Sequence, residues 1–159
     1  MSLKDYNTFG LDVLAKEVVF LKDLKQLEEI PNLKEIMFIG GGSNILLTKD
    51  INQTVLVNQT HGICTVNEDD NQIELAVASG ENWHELVLYC IEKGYGGLEN
   101  MSLIPGSVGA APMQNIGAYG KELKDILTYV EAVDIDTREL KRFTNEECEF
   151  GYRESIFKK

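Results

Sequence analysis

Apolar positions along the chain fall into short runs separated by polar turns, and only one segment carries a long helical stripe. Residues 17–21, Glu-Val-Val-Phe-Leu, are β-branched and apolar and read as a strand running into Lys22-Asp23. Asp23 with Gln26 has capping-box spacing, and Leu24, Leu27 and Glu28 continue a short helix that Pro31 ends. Residues 35–39 read as a buried strand, followed by Gly40-Gly41-Gly42-Ser43-Asn44, by Ile45-Leu46-Leu47 as another strand, and by a strand over 54–58. The pattern predicts a β-α-β-β-β first lobe over residues 1–60.

From Gly62 the signals become antiparallel. Residues 63–67 and 73–78 flank Glu68-Asp69-Asp70-Asn71-Gln72, an acidic turn whose Asp and Asn side chains suit a tight reversal, so a hairpin is expected. Asn82 with Glu85 caps a helix on which Trp83, Leu86, Val87, Cys90 and Ile91 lie at i, i+3, i+4, i+7 and i+8, and Gly94 ends it. Such a stripe is normally buried, so Trp83 and Cys90 are expected in the core and His84, off the stripe, in solvent. Residues 129–135 and 139–143 predict a second hairpin around Asp136-Thr137-Arg138, and Thr144 with Glu147 predicts a last short helix. These elements form a second lobe over residues 61–159, and the whole reads as α+β.

Composition narrows the function. Lys+Arg 15 against Asp+Glu 26 give a net charge of −11, which disfavours nucleic acid, whose phosphates are bound through Lys and Arg. No apolar run approaches the ~18 residues of a membrane-spanning helix. The first residues, Met1-Ser2-Leu3-Lys4-Asp5, lack the basic and apolar regions of a secretory leader, so a cytoplasmic protein is expected. The three cysteines, Cys64, Cys90 and Cys148, show no Cys-x-x-Cys spacing. His61 with Cys64 is too small a set for zinc, and a pair of ordinary strand-edge side chains is the simpler reading, so no metal site is expected.

Two glycine segments hold the candidate chemistry. Residues 40–44 follow a strand as a phosphate loop does, but no Lys-[Ser/Thr] and no helix comes after them. They fit either a plain strand connection or a nest whose main-chain N–H groups gather on one anion such as a pyrophosphate, with Ser43 and Asn44 adding donors. The second segment is Ile104-Pro105-Gly106-Ser107-Val108-Gly109-Ala110-Ala111-Pro112-Met113-Gln114-Asn115-Ile116-Gly117-Ala118-Tyr119-Gly120. It is too apolar for a solvated linker. It reads either as a structural turn cluster or as backbone held close to a flat ligand, with Gln114 and Asn115 offering donors and acceptors to a heterocycle edge.

These segments, with Asn7-Thr8-Phe9-Gly10, Gly80-Glu81-Asn82-Trp83-His84, Gly97-Leu98-Glu99-Asn100 and Gly151-Tyr152-Arg153-Glu154-Ser155-Ile156-Phe157 in this order, resemble the UDP-N-acetylenolpyruvoylglucosamine reductase family over essentially the whole chain. The resemblance implies a vanillyl-alcohol-oxidase (PCMH) type FAD-binding domain of two α+β lobes clasping the cofactor. Gly40, Gly41, Gly42, Ser43, Asn44, Ile45 and Leu46 would receive the FAD pyrophosphate. Ile104, Pro105, Gly106, Ser107, Val108, Gly109, Ala110, Ala111, Gln114, Asn115, Gly117, Ala118 and Tyr119 would line the pyrophosphate, ribityl chain and flavin ring. NADPH is the implied reductant and UDP-N-acetylglucosamine enolpyruvate the implied substrate of peptidoglycan synthesis. Arg153 matches the family's catalytic arginine, and Tyr152 and Gln114 would border the substrate.

The family's proton-donating serine, its glutamate partner and most sugar-nucleotide contacts lie in a later domain. The 159 residues are therefore expected to stop before the substrate domain and to be catalytically incomplete alone. Two readings compete: another FAD oxidoreductase of this fold, disfavoured because neither glycine segment has a His or Cys to attach flavin, and a non-catalytic nucleotide-binding module.

Overall fold

Three apolar runs from the first sixty residues pair side by side. The computed structural model describes residues 1–158 and places Ala15–Leu21 (β1), Ile36–Ile39 (β2) and Ile51–Asn58 (β3) in a parallel sheet of order β1-β3-β2. The central strand is covered on both faces, as parallel sheets require. Leu56 packs with Leu21, Leu27 and Leu33 on one side, the last two from Gln26–Glu29 (α1) and the turn after it. Val55 and Val57 pack with Leu3, Val13, Ala15, Ile39 and Leu47 on the other. Ile39 lies opposite Val57, so Gly40 leaves the carboxyl edge of the sheet beside the end of β3. In open sheets of this kind that edge is where ligands bind.

Residues 45–47 do not form the expected strand. Because β2 and β3 run parallel, the chain between them must cross back over the sheet rather than pair with it. Leu47 anchors this crossing in the core while Leu46 is 63% exposed.

After the parallel sheet comes the expected hairpin, Ile63–Glu68 (β4) and Ile73–Val77 (β5). In its turn Asp69 Oδ1 accepts from the N–H groups of Asn71 (2.7 Å) and Gln72 (2.8 Å), which holds its carboxyl below the usual range. Trp83–Lys93 (α2) is capped by Asn82, whose Oδ1 accepts from Glu85 N at 3.1 Å, and it ends at Gly94 with φ +76. Trp83, Leu86, Val87 and Cys90 are buried against Met101, Ala111, Ile116 and Leu123. Ile91, expected in this stripe, is 49% exposed: one residue further round than Cys90, it lies past the edge of the contact.

Gly117–Ala118 (β6) pairs with Lys121–Glu122 (β7), and Tyr129–Val133 (β8) with Leu140–Thr144 (β9). The last hairpin reaches back to the parallel sheet and α1. Val133 packs on the Leu21–Leu56 cluster. Arg138, in the hairpin turn, donates from Nη1 to Leu27 O (2.6 Å) and Glu28 O (3.3 Å), and from Nη2 to Ile30 O (2.6 Å) and Pro31 O (3.1 Å). The guanidinium thereby caps the carbonyl end of α1.

The Thr144–Glu147 capping box forms, with Thr144 N on Glu147 Oε2 at 2.8 Å and Glu147 N on Thr144 Oγ1 at 3.3 Å, but no helix follows it. The turn ends at Glu149, φ +48, just before Gly151, which leaves too few residues to propagate a helix. Among the described residues no helix is long and apolar enough to cross a membrane.

Candidate functional site

The first glycine loop owes its shape to close main-chain contact. Gly42 sits at φ +62, and a Cβ there would lie 2.1 Å from the carbonyl oxygen of Tyr6. Thr8 N donates back to Gly42 O at 3.1 Å, so the N-terminal turn clamps the loop from behind. On its other side the loop meets the second glycine segment. A Cβ on Gly41 would lie 2.9 Å from Gly106 Cα, one on Gly40 would lie 2.6 Å from Ser107 Oγ, and one on Gly106 would lie 3.1 Å from Ser43 Oγ. Side chains larger than hydrogen would push the two segments apart.

Their donors are unspent. Among the described residues, none of the main-chain N–H groups from Gly41 to Leu46, nor those of Gly106 and Ser107, donates a hydrogen bond. Main-chain donors normally find partners, and successive free N–H groups on converging loops form an anion cradle. In a chain of net charge −11, fixed amide dipoles can hold an anion without a cluster of basic side chains.

The second segment is held in place by its own scaffold. Trp83 N donates to Gly106 O (3.0 Å), Val108 N to Glu81 O (2.8 Å) and Gly109 N to Ser79 O (2.8 Å), which ties it to the start of α2. Residues Val108–Gln114 form a 3₁₀ turn with Ala111 in the core, and Gly109 and Ala110 are exposed. Ile104, Val108, Gln114, Gly117 and Ala118 are half-buried, Pro105 is exposed, and Tyr119 is 88% exposed at φ +50. In the first loop Ser43 and Ile45 are half-buried and Asn44 exposed.

Asn115 does not present its amide to a ligand. Fully buried at φ +44, it donates from Nδ2 to Gly151 O and accepts at Oδ1 from Lys124 N, both at 3.0 Å, so it fastens the C-terminal tail to the segment. Ser155 Oγ adds a bond to Met113 O at 2.8 Å.

This tail carries Arg153 to the same place. At φ +55, Arg153 donates from Nη2 to Gly117 O at 2.9 Å, and its guanidinium carbon lies 5.9 Å from the ring of Tyr152, itself 84% exposed. The structure therefore brings Arg153, Tyr152 and the second segment together, with the first loop packed on that segment's start. His84 is not merely solvated: its Nδ1 accepts from Leu103 N at 3.2 Å, at the entry to the second segment. Burial pushes the Cys90 thiol up, helped by Glu99, and the Cys148 thiol up, helped by Glu147, which suits neither for nucleophilic work.

Sequence reasoning missed the groups behind the loops. Tyr6 and Thr8 clamp residue 42, and Glu81 and Ser79 hold residues 108 and 109 through main-chain oxygens that carry no side-chain signature. Thr8 and Glu81 stood in the motifs Asn7-Thr8-Phe9-Gly10 and Gly80-Glu81-Asn82-Trp83-His84, which gave them no structural role.

A family model described as "FAD binding domain" matches residues 16–143. The chain is 51% identical over 160 residues to a protein of Flavobacterium johnsoniae named UDP-N-acetylenolpyruvoylglucosamine reductase, with 99% of this chain and 48% of that protein covered. Proteins of the same name from Amoebophilus asiaticus (48% identical; 98% of this chain, 48% of that protein) and Pseudomonas putida (46% identical; 100% and 48%) are also similar. The crystal structure of UDP-N-acetylenolpyruvylglucosamine reductase from Thermus caldophilus superposes with a TM-score of 0.78 at 28% identity, covering 98% of this chain and 55% of that one. The chain spans about half the length of the curated relatives it matches.

Proposed function

Since the chain belongs to the FAD binding domain family, with an α+β FAD-binding fold, we propose that it is the flavin-holding part of a UDP-N-acetylenolpyruvoylglucosamine reductase. The N–H groups of Gly41 to Leu46, with Ser43 and Asn44, receive the FAD pyrophosphate together with those of Gly106 and Ser107. The exposed main chain at Gly109 and Ala110 and the half-buried residues Gln114, Gly117 and Ala118 line the rest of the cofactor, with Tyr119 at its edge. Asn115 acts from beneath as framework rather than as a contact.

FAD bound here would take hydride from NADPH and pass it to the enolpyruvyl group of UDP-N-acetylglucosamine enolpyruvate. The part of this chain in that reaction is electrostatic. Negative charge grows on the enolpyruvyl carboxylate, and Arg153, pinned to Gly117 O, offers the remaining N–H groups of its planar fork to it. The positive φ at Arg153 and the bond from buried Asn115 to Gly151 O fix the direction of approach. Tyr152 borders the same region. The relatives are about twice as long as this chain, and the family resemblance implies that the protonating group and most sugar-nucleotide contacts come from outside these residues. An NADPH reductant would favour a cytoplasmic location, and the net charge of −11 speaks for a small substrate over nucleic acid.

The observation that carries this reading is the main-chain contact between two glycine segments whose facing amides, Gly41 to Leu46 and Gly106 to Ser107, are unspent. Titrating the protein with FAD while following flavin absorbance and fluorescence should give saturable uptake of one FAD per chain, abolished in Gly41→Val. Uptake by Gly41→Val equal to that of the unaltered protein would place the cofactor elsewhere.

A further inference from the structure

Behind the junction of the two glycine segments lies a closed ring of side-chain hydrogen bonds. Asn58, the last residue of β3, donates from Nδ2 to Ser79 Oγ at 2.7 Å. Thr60 Oγ1 donates to Asn58 Oδ1 at 3.0 Å, and Thr60 N donates to the same oxygen at 3.1 Å. Thr60 Oγ1 and Ser79 Oγ are 3.2 Å apart. The single hydroxyl proton of Thr60 is committed to Asn58 Oδ1, which can only accept, so Ser79 supplies the proton to Thr60. Each member thus donates to the next and accepts from the one before. Gly80 N adds a bond to Thr60 Oγ1 at 3.0 Å.

The ring joins the two halves of the cradle. On one side Asn58 follows Val57, the residue paired with Ile39 just before the first glycine loop. On the other, Ser79 O accepts from Gly109 N at 2.8 Å, and a Cβ on Gly109 would lie 2.5 Å from Ser79 Cβ. Gly80 is equally close, its Cβ position lying 2.5 Å from both N and O of Thr60. Thr60 is buried, and Asn58 and Ser79 are half-buried, so the network is largely shielded from competing water.

We infer that Asn58, Thr60 and Ser79 are positioning residues that hold the first glycine loop and the 3₁₀ turn of the second at the spacing a dinucleotide needs. The inference rests on the flavin reading above. The ring acts through the loops: its hydroxyls set FAD affinity by fixing where the free N–H groups point.

Thr60→Val keeps the shape of the side chain and removes the hydroxyl, whereas Thr60→Ser keeps the hydroxyl. Thr60→Val is expected to raise the FAD dissociation constant about tenfold and to speed amide exchange at Gly109 by a similar factor with exchange in α2 unchanged. Thr60→Ser should stay within about twofold of the unaltered protein on both measures. Equal FAD affinity in Thr60→Val, or a loss in Thr60→Ser as large as in Thr60→Val, would overturn the inference. Should the unaltered protein take up no FAD, the flavin reading fails by itself, and Gly109 exchange then decides: a rate unchanged in Thr60→Val contradicts the ring, and a faster one confined to this junction supports it.

Discussion

In residues 40–44 the glycines occupy places where other main chain stands within reach of any side chain, Tyr6 behind Gly42 and Gly106 in front of Gly41. In residues 104–120 the small residues are spread over a framework built elsewhere: the start of α2, the buried Asn115, and the tail bearing Arg153. The first loop is shaped by steric exclusion and keeps nearly all its donors free. The second adds hydrogen bonding to the same exclusion: Gly109 and Gly117 stand as close to Ser79 and Lys121, but Val108 and Gly109 spend their N–H groups on Glu81 and Ser79. The same residue type, read as one signal in sequence, therefore answers two physical requirements, and substitutions should separate them.

The largest effect is expected at Gly42. A β-branched side chain at φ +62, driven into Tyr6 O, should make Gly42→Val cost more than about 3 kcal/mol in denaturant unfolding. Gly120 has φ +78 but open space around it, so Gly120→Ala should cost about 1 kcal/mol. Similar costs at the two sites would erase the distinction.

Asn115→Ala comes next. It strands Lys124 N and leaves Gly151 O with only the longer bond from Glu154 N at 3.4 Å, and about 2 kcal/mol of stability should be lost in the same assay. A neutral result would mean that the tail does not depend on this amide.

A smaller change is expected at Arg153, whose guanidinium is exposed and makes one bond to the fold. Arg153→Ala should change the FAD dissociation constant by less than about threefold and stability by less than about 1 kcal/mol, while a complete protein with the proposed reductase function should lose most of its turnover on carrying it. Loss of FAD with turnover per bound flavin intact would contradict its role.

The smallest effect lies in the β8–β9 hairpin, remote from both segments. Lys141 Nζ, then the N–H groups of Thr137 and Asp136, hold the Asp134 carboxyl well below the usual carboxylate range. A depressed folded-state pKa adds stability above the ordinary carboxylate range and loses it as pH falls through the folded value. The Asp134 carboxyl resonance should therefore stay ionised at pH 3, where ordinary carboxyls are mostly protonated. Titration near pH 4 would show that Lys141 does not hold it.

Much of the architecture was legible because periodicity reports burial. The apolar runs that became β1, β2 and β3, both hairpins and the capped α2 lie where their patterns placed them. Failures came where a local signal met a tertiary constraint. Ile45-Leu46-Leu47 has strand composition, but a parallel connection left it no partner strand. The Thr144–Glu147 box formed its bonds, but the backbone turned left-handed at Glu149 before a helix could propagate. Of the site, the glycine segments were visible as composition, and their meeting at Gly41 and Gly106 is a property of the folded chain alone. Asn115 looked like a recognition residue because an amide near glycine suits a heterocycle, yet burial turned it inward. The Asn58–Thr60–Ser79 ring had no signal at all, since its members are common polar residues brought together by the end of β3 and the approach to α2.

The most direct test follows amide resonances of the isotope-labelled protein during FAD addition. The account predicts that Gly41 to Asn44 and Gly106 to Ser107 shift together, with one midpoint and one equivalent of FAD. Movement of one stretch while the other stays in place, or two separate midpoints, would contradict a pyrophosphate held between them.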